Sequence, residues 1–231
     1  MQKKKPGYDK KVRYSGHREP KPVIYIAGEG LVNKTESAYF SAFKTDNYCV
    51  QFIQEGYSDP KGIVRKLKSK INDKNGLKFR PGIDKAFCLV DTDTASSKDS
   101  RIREAVVEAE KDKNAPILVL TSNPCFEIWF MLHERYTEKK YNSSSEVVND
   151  LRKIRGWENY SKSDTDTYRK TISKVAVAVQ NAKKLEERHL EEGLKPQTVE
   201  FMPSSEVYRL VELLLKQNLP KTLSIKDFAV F

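Results

Sequence analysis

Four short apolar runs, VIYIA (23–27), YCVQFI (48–53), KAFCLVD (85–91) and PILVLTS (116–122), alternate with stretches whose apolar residues recur at helical spacing. Runs of this length, rich in β-branched and aromatic residues, read as strands, and near-continuous apolar character suits strands covered on both faces. The intervening segments predict helices over 35–44, over 60–73 with Ile63, Val64, Leu67 and Ile71, and over 99–112 with Ile102, Ala105, Val106 and Ala109. Strand and helix in alternation imply right-handed crossovers and an α/β fold built on a mostly parallel sheet.

Beyond the fourth run the chain turns helical. In NPCFEIWFMLHE, Asn123 has the character of an N-cap and Pro124 of a first helical residue, with Phe126, Trp129, Phe130 and His133 along one face. Further helices are predicted over 143–156, 167–191 and 204–218, the last with Val207, Leu210, Val211 and Leu214 as a buried stripe, and a short strand around TVEF (198–201). With 231 residues and no evident linker, the chain divides into a basic arm (1–21) and one domain (22–231). That domain comprises an α/β core over 22–135 and a mainly helical extension over 136–231 packed on it.

The arm carries Lys3, Lys4, Lys5, Lys10, Lys11, Arg13, Arg18 and Lys21 with hardly any aliphatic residue, so it is expected to stay mobile. Over the whole chain 42 Lys and Arg face 32 Asp and Glu, a formal charge of +10 that favours a polyanionic partner such as RNA or DNA. Cys49, Cys88 and Cys125 lie in or beside apolar runs without a CxxC pair, so buried reduced thiols are expected; His17, His133 and His189 are too scattered for a metal site. No apolar run approaches the roughly 20 residues of a membrane span, and MQKKKPGYDKK lacks the apolar stretch of a signal peptide. The expectation is a cytoplasmic protein with no membrane partner, whose apolar last helix and IKDFAVF ending suit a homo-oligomer contact.

Strand ends are where chemistry gathers in open parallel sheets. The first run ends in Gly28-Glu29-Gly30, the third in Asp91-Thr92-Asp93. Strand alternation puts Asp91 and Asp93 on one side and Thr92 on the other, so the two acids can share Mg²⁺ or Mn²⁺, with Glu29 completing a three-carboxylate cluster suited to phosphoryl chemistry. Flanking glycines let a phosphate or a neighbouring loop come close. Each acid also has a bland reading as a helix cap or the start of a loop. Glu36, after the N-cap candidate Thr35, and Glu127, one turn into the NPCFE helix, answer a helix dipole by default and contact a metal or substrate in the alternative. His133 reads as a partly buried helix-face residue. Lys98, Arg101 and Arg103 are candidates for holding phosphates, or ordinary surface.

Taken together, YIAGEG…TESAYF, FCLVDTD, SNPCFEIWFMLH and PSSEVYRLVELL resemble the RloB-like family over most of residues 22–218. The resemblance implies a Toprim-like fold, a role in abortive infection against phage, and a partner ATPase of AAA or SMC-like type. On that pattern Glu29 is the acid or base, and Asp91 and Asp93 bind the metal. The family spacing is close to EG-x-x-TE, whereas here four residues, Leu31 to Lys34, separate Glu29-Gly30 from Thr35-Glu36. No GxxxxGK[ST] is present, so any ATP use falls to another protein. Three readings stand: a Mg²⁺- or Mn²⁺-dependent nuclease acting on RNA or DNA, tRNA included; a non-catalytic subunit that binds nucleic acid or the ATPase; and a receptor for a nucleotide or signalling ligand.

Overall fold

The computed structural model describes residues 20–29, 35–43, 45–53, 59–113 and 115–216. The four apolar runs form β1 (Val23–Gly28), β2 (Cys49–Ile53), β3 (Lys85–Asp91) and β4 (Ile117–Asn123). They lie side by side in the order β2-β1-β3-β4, all parallel, and a fifth strand, β5 (Ser204–Ser205), runs antiparallel beside β4.

Period-two alternation divides the strand side chains between two cores. Ile24, Ile26, Phe87, Leu89, Leu118 and Leu120 face one side, where α1 (Thr35–Ser41), α4 (Glu127–Glu134) and the C-terminal helices cover them. Tyr25, Ala27, Ala86, Cys88, Val90, Ile117 and Val119 face the other side, against α2 (Pro60–Asn72) and α3 (Ser97–Glu110). The α2 stripe Ile63, Val64, Leu67 and Ile71 is buried as its spacing predicts, and Asp59 caps the helix by accepting from Gly62 N at 2.8 Å, with Pro60 at its start.

The extension consists of α5 (Ser144–Leu151), α6 (Thr167–Thr171), a 3₁₀ turn (Ile172–Lys174), α7 (Val175–Glu191) and α8 (Val207–Leu215). The helix expected over 167–191 is thus broken. The Thr171 hydroxyl donates back to the carbonyls of Thr167 and Tyr168 at 2.7 and 3.2 Å, a local bond of the kind that bends helices.

The short strand expected around TVEF lies instead at 204–205. Backbone groups of Thr198 and Val199 are taken by side chains: Asn123 Nδ2 donates to both carbonyls at 2.8 and 3.2 Å, and Val199 N donates to Asp99 Oδ1 at 2.8 Å. The same contacts correct the reading of Asn123 as an N-cap. It is the last residue of β4, paired with Ser204, and α4 starts at Glu127, three residues later than the Asn-Pro signal implies; the Asn123-Pro124 peptide is cis.

Glu206 ties the extension to the sheet. It is 7% exposed and accepts from Thr121 N, Thr121 Oγ1 and Gln197 Nε2 at 2.8, 2.9 and 3.1 Å. At the opposite end of the sheet, buried Asp84 accepts from Val23 N and from Arg80, whose guanidinium also donates to the Pro20 and Lys21 carbonyls. The expectations for the arm bear on residues 1–19, and that for IKDFAVF on 225–231, outside the described residues. Cys88 and Cys125 are buried as expected. Cys49 is exposed, because it opens the edge strand β2 and only one neighbour covers it.

Candidate functional site

Parallel pairing brings the ends of β1 and β3 together: Gly28 registers with Leu89, so Glu29 follows β1 at the edge where β3 ends in Asp91. The helices α1, α3 and α4 begin at this same edge and contribute Glu36, Lys98 and Glu127. Sheet topology alone therefore collects acids from four separate stretches of sequence.

Asp91 lies at the centre of this collection. Its carboxyl is partly buried, and the charges of Glu36, Glu127 and Glu29 add to that burial, holding it well above the usual carboxylate range against the opposing pull of Lys162. Burial likewise pushes Glu29 up to about 7, with Lys98 pulling down and Asp93 adding to the rise.

Asp93 departs from the strand alternation expected of it. The strand ends at Asp91, Thr92 is buried, and Asp93 turns into the left-handed region at φ 51°, its N–H donating to the Pro124 carbonyl at 2.9 Å. Its carboxylate meets Lys98 at 3.0 Å, and the same ammonium stands 3.5 Å from Glu29 Oε1. Burial works against the Lys98 charge, yet these two acids outweigh it and raise its pKa. Asp93 and Glu29 are thus joined through a lysine, and Asp91 faces Glu36 and Glu127 as well as Glu29.

Glu127 is 3% exposed. Its Oε1 accepts from the Tyr160 hydroxyl at 2.9 Å and has Lys162 Nζ at 3.7 Å, whereas its Oε2 is buried with no hydrogen-bond partner among the described residues. Glu36 occupies the first turn of α1, as its spacing predicts, and it also acts on Asp91. A Cβ on Gly28 would stand 3.3 Å from the Phe52 ring and 3.5 Å from Glu36 Oε2, so the glycine admits a neighbouring carboxylate. Gly30 lies outside the described residues.

Thr35 is the first residue of α1 rather than its cap. Its N–H donates to the Lys162 carbonyl at 3.0 Å and its hydroxyl to the Ser161 carbonyl at 3.3 Å. Tyr160 and Lys162, which the sequence reading missed, belong to the loop after α5; the one local signal is the pair Trp157 and Tyr160, two buried aromatics in an otherwise polar stretch.

The three basic candidates separate. Lys98 is in the site, while Arg101 and Arg103 are exposed on α3. Arg103 follows Lys98 by five residues, about 140° round the helix, and its Nε donates to the Asp99 carbonyl at 3.4 Å. His133 is fully buried, not partly: Nδ1 lies 2.8 Å from the Trp129 carbonyl, and burial lowers its pKa to about 4.

Among the described residues, no three His, Cys, Asp or Glu side chains are already gathered as a metal-binding group. The chemistry of the donor set still fits a hard cation. Five carboxylates, Glu29, Glu36, Asp91, Asp93 and Glu127, face two lysines, and the buried Glu127 Oε2 lacks a hydrogen bond. Clustered buried acids of this kind require protons or cations to balance them, and all-oxygen donors suit Mg²⁺ or Mn²⁺.

A family model described as RloB-like protein matches residues 24–214. No curated protein and no solved structure matches the chain. Among the described residues no helix is long and apolar enough to cross a membrane.

Proposed function

Because the chain belongs to the RloB-like family, we propose that it is a metal-dependent nuclease of Toprim type, cleaving phosphodiester bonds in RNA or DNA as the effector of an anti-phage system with a partner ATPase. The observation that carries this reading is the junction of Glu29 after β1 with Asp91 at the end of β3, in a cluster whose acids outnumber its bases. Glu29 and Asp91 would hold Mg²⁺ or Mn²⁺, joined by Glu36 or Glu127 once side chains turn inward, with Asp93 close by. The cation supplies polarisation of the phosphate and stabilisation of the leaving oxygen.

The protein's own groups supply the rest. In the metal-free site burial holds the Glu29 carboxyl up at about 7, and a Glu29 oxygen left off the cation is placed to take a proton from the attacking nucleophile or return one to the leaving oxygen. Lys98, now shared between Glu29 and Asp93, can swing its ammonium to a non-bridging phosphate oxygen once a cation takes over those acids. The formal charge of +10 favours a nucleic-acid substrate.

A second reading, a subunit that binds nucleic acid or the ATPase without turnover, is favoured by one observation: Lys98 already neutralises part of the acidic cluster. One experiment separates the two. Purified protein is incubated with Mg²⁺ or Mn²⁺ and a panel of tRNA, single-stranded RNA, duplex DNA and supercoiled plasmid, with and without the ATPase, beside Asp91→Ala. Divalent-dependent cleavage lost in the variant supports the nuclease; equal cleavage by the variant, or none by the wild type in any mixture, overturns it.

A further inference from the structure

We propose that Lys162 is a substrate-binding residue of this site, its ammonium pairing with a backbone phosphate of the bound nucleic acid. This deepens the nuclease reading and rests on it.

The loop around Lys162 is fixed by groups other than its ammonium. The Lys162 carbonyl accepts from Thr35 N at 3.0 Å, the Ser161 carbonyl from Thr35 Oγ1 at 3.3 Å, and the Tyr160 carbonyl from Arg152 Nε at 2.9 Å. Tyr160 itself is 1% exposed and packs against Phe130 and Trp157. The main chain at Lys162 is therefore held firmly at the head of α1, while the Lys162 side chain is 55% exposed.

The ammonium makes an ion pair with its nearest acid but no hydrogen bond to it. Glu127 Oε1 already accepts the Tyr160 hydroxyl at 2.9 Å, and Lys162 Nζ, at 3.7 Å, stands beyond a hydrogen bond. What Lys162 contributes is a half-exposed positive head at the rim of a cluster in which Glu127, Asp91 and Glu36 all act on its charge. When those acids turn to a cation, the head is released toward solvent at the point where a phosphate must enter.

Placement strengthens the case. Lys98 comes from α3, on one face of the sheet, whereas the loop of Lys162 packs with α1 and α4 on the other. The two lysines flank the acids from opposite sides, an arrangement that can grip a phosphodiester backbone passing between them.

The test uses the full chain and a fluorescein-labelled single-stranded oligonucleotide in RNA and DNA forms. Binding is titrated over a range of salt concentrations with Ca²⁺ in place of the cleavage-supporting ions for wild type, Lys162→Met and Lys162→Arg, and Mn²⁺ binding is measured separately by electron paramagnetic resonance. Lys162→Met is expected to weaken oligonucleotide binding about tenfold and to lower the salt slope by about one phosphate contact. Lys162→Arg should restore the slope, and the loss of one positive charge should leave Mn²⁺ affinity equal or higher. A wild-type slope in Lys162→Met, whether or not the variant melts lower, overturns the inference alone. A lowered slope in Lys162→Met together with a wild type that takes up no Mn²⁺ overturns the metal-dependent reading alone, and a wild type that binds neither oligonucleotide overturns both.

Discussion

The Tyr160 hydroxyl donates a 2.9 Å hydrogen bond to Glu127 Oε1, joining a loop of the helical extension to the first residue of α4. Both residues are buried, so the bond lies in a low-dielectric setting where loss of the donor strands a polar atom. Tyr160→Phe is expected to lower stability by about 1–3 kcal/mol in urea unfolding. An unchanged midpoint would mean that water or another donor replaces the phenol.

Metal binding should register as stability. Mn²⁺ at about 100 times its dissociation constant should stabilise the wild type by about 2.7 kcal/mol, visible as a raised Tm. The rise should grow with pH, because protons compete for the same oxygens, and it should vanish in Asp91→Asn, whose carboxamide keeps the shape and loses the charge. An equal rise in the variant would place the ion elsewhere.

The pH dependence of the metal-free protein has a definite sign. Glu29 is raised from 4.5 to about 7, so its contribution to stability is fully present below 4.5 and is lost as pH rises toward 7. The shift is worth about 3 kcal/mol at most. His133, lowered from 6.5 to about 4, works oppositely, contributing stability above 6.5 that is lost as pH falls toward 4. Asp91 and Glu206, also raised by burial, act in the same direction as Glu29, so the histidine offsets only part of what the acids lose as pH rises. The stability of wild type relative to Glu29→Gln should therefore fall as pH rises from 4.5 toward 7 in denaturant titrations; a difference that stays flat across that window would refute the assignment.

Glu206 ties the extension to the sheet through two hydrogen bonds from Thr121. Glu206→Ala removes the acceptor of Thr121 N and Oγ1 together and should cost about 3 kcal/mol or more, read from chemical unfolding. Loss below about 1 kcal/mol would show that the apolar packing of α8 suffices by itself.

The sheet was legible because strands buried on both faces must be apolar throughout, and VIYIA and KAFCLVD are. Glu29 and Asp91 were legible for a related reason: an acid ending such a run has to sit at the sheet's edge. Asp93 was misread because alternation holds only while the strand continues, and the backbone leaves it one residue earlier. Asn123 misled because Asn-Pro reads as a helix start whether the asparagine side chain turns to its own helix or, as here, to Thr198 and Val199. Lys162 was invisible, since SKSDTD reads as any polar loop and its neighbours Thr35 and Glu127 are remote in sequence. Local pattern finds residues placed by their own element and misses those placed by another.

The two-residue strand β5 also decides how this sheet can associate. By pairing with Ser122 and Asn123 it occupies the outer side of β4 near the site, leaving β2, with Cys49 and Gln51 exposed, as the long open border among the described residues. A sheet with one such border can join a second copy of itself only border to border, which uses up both. Strand pairing between copies would then stop at a two-fold dimer instead of running on into a fibre.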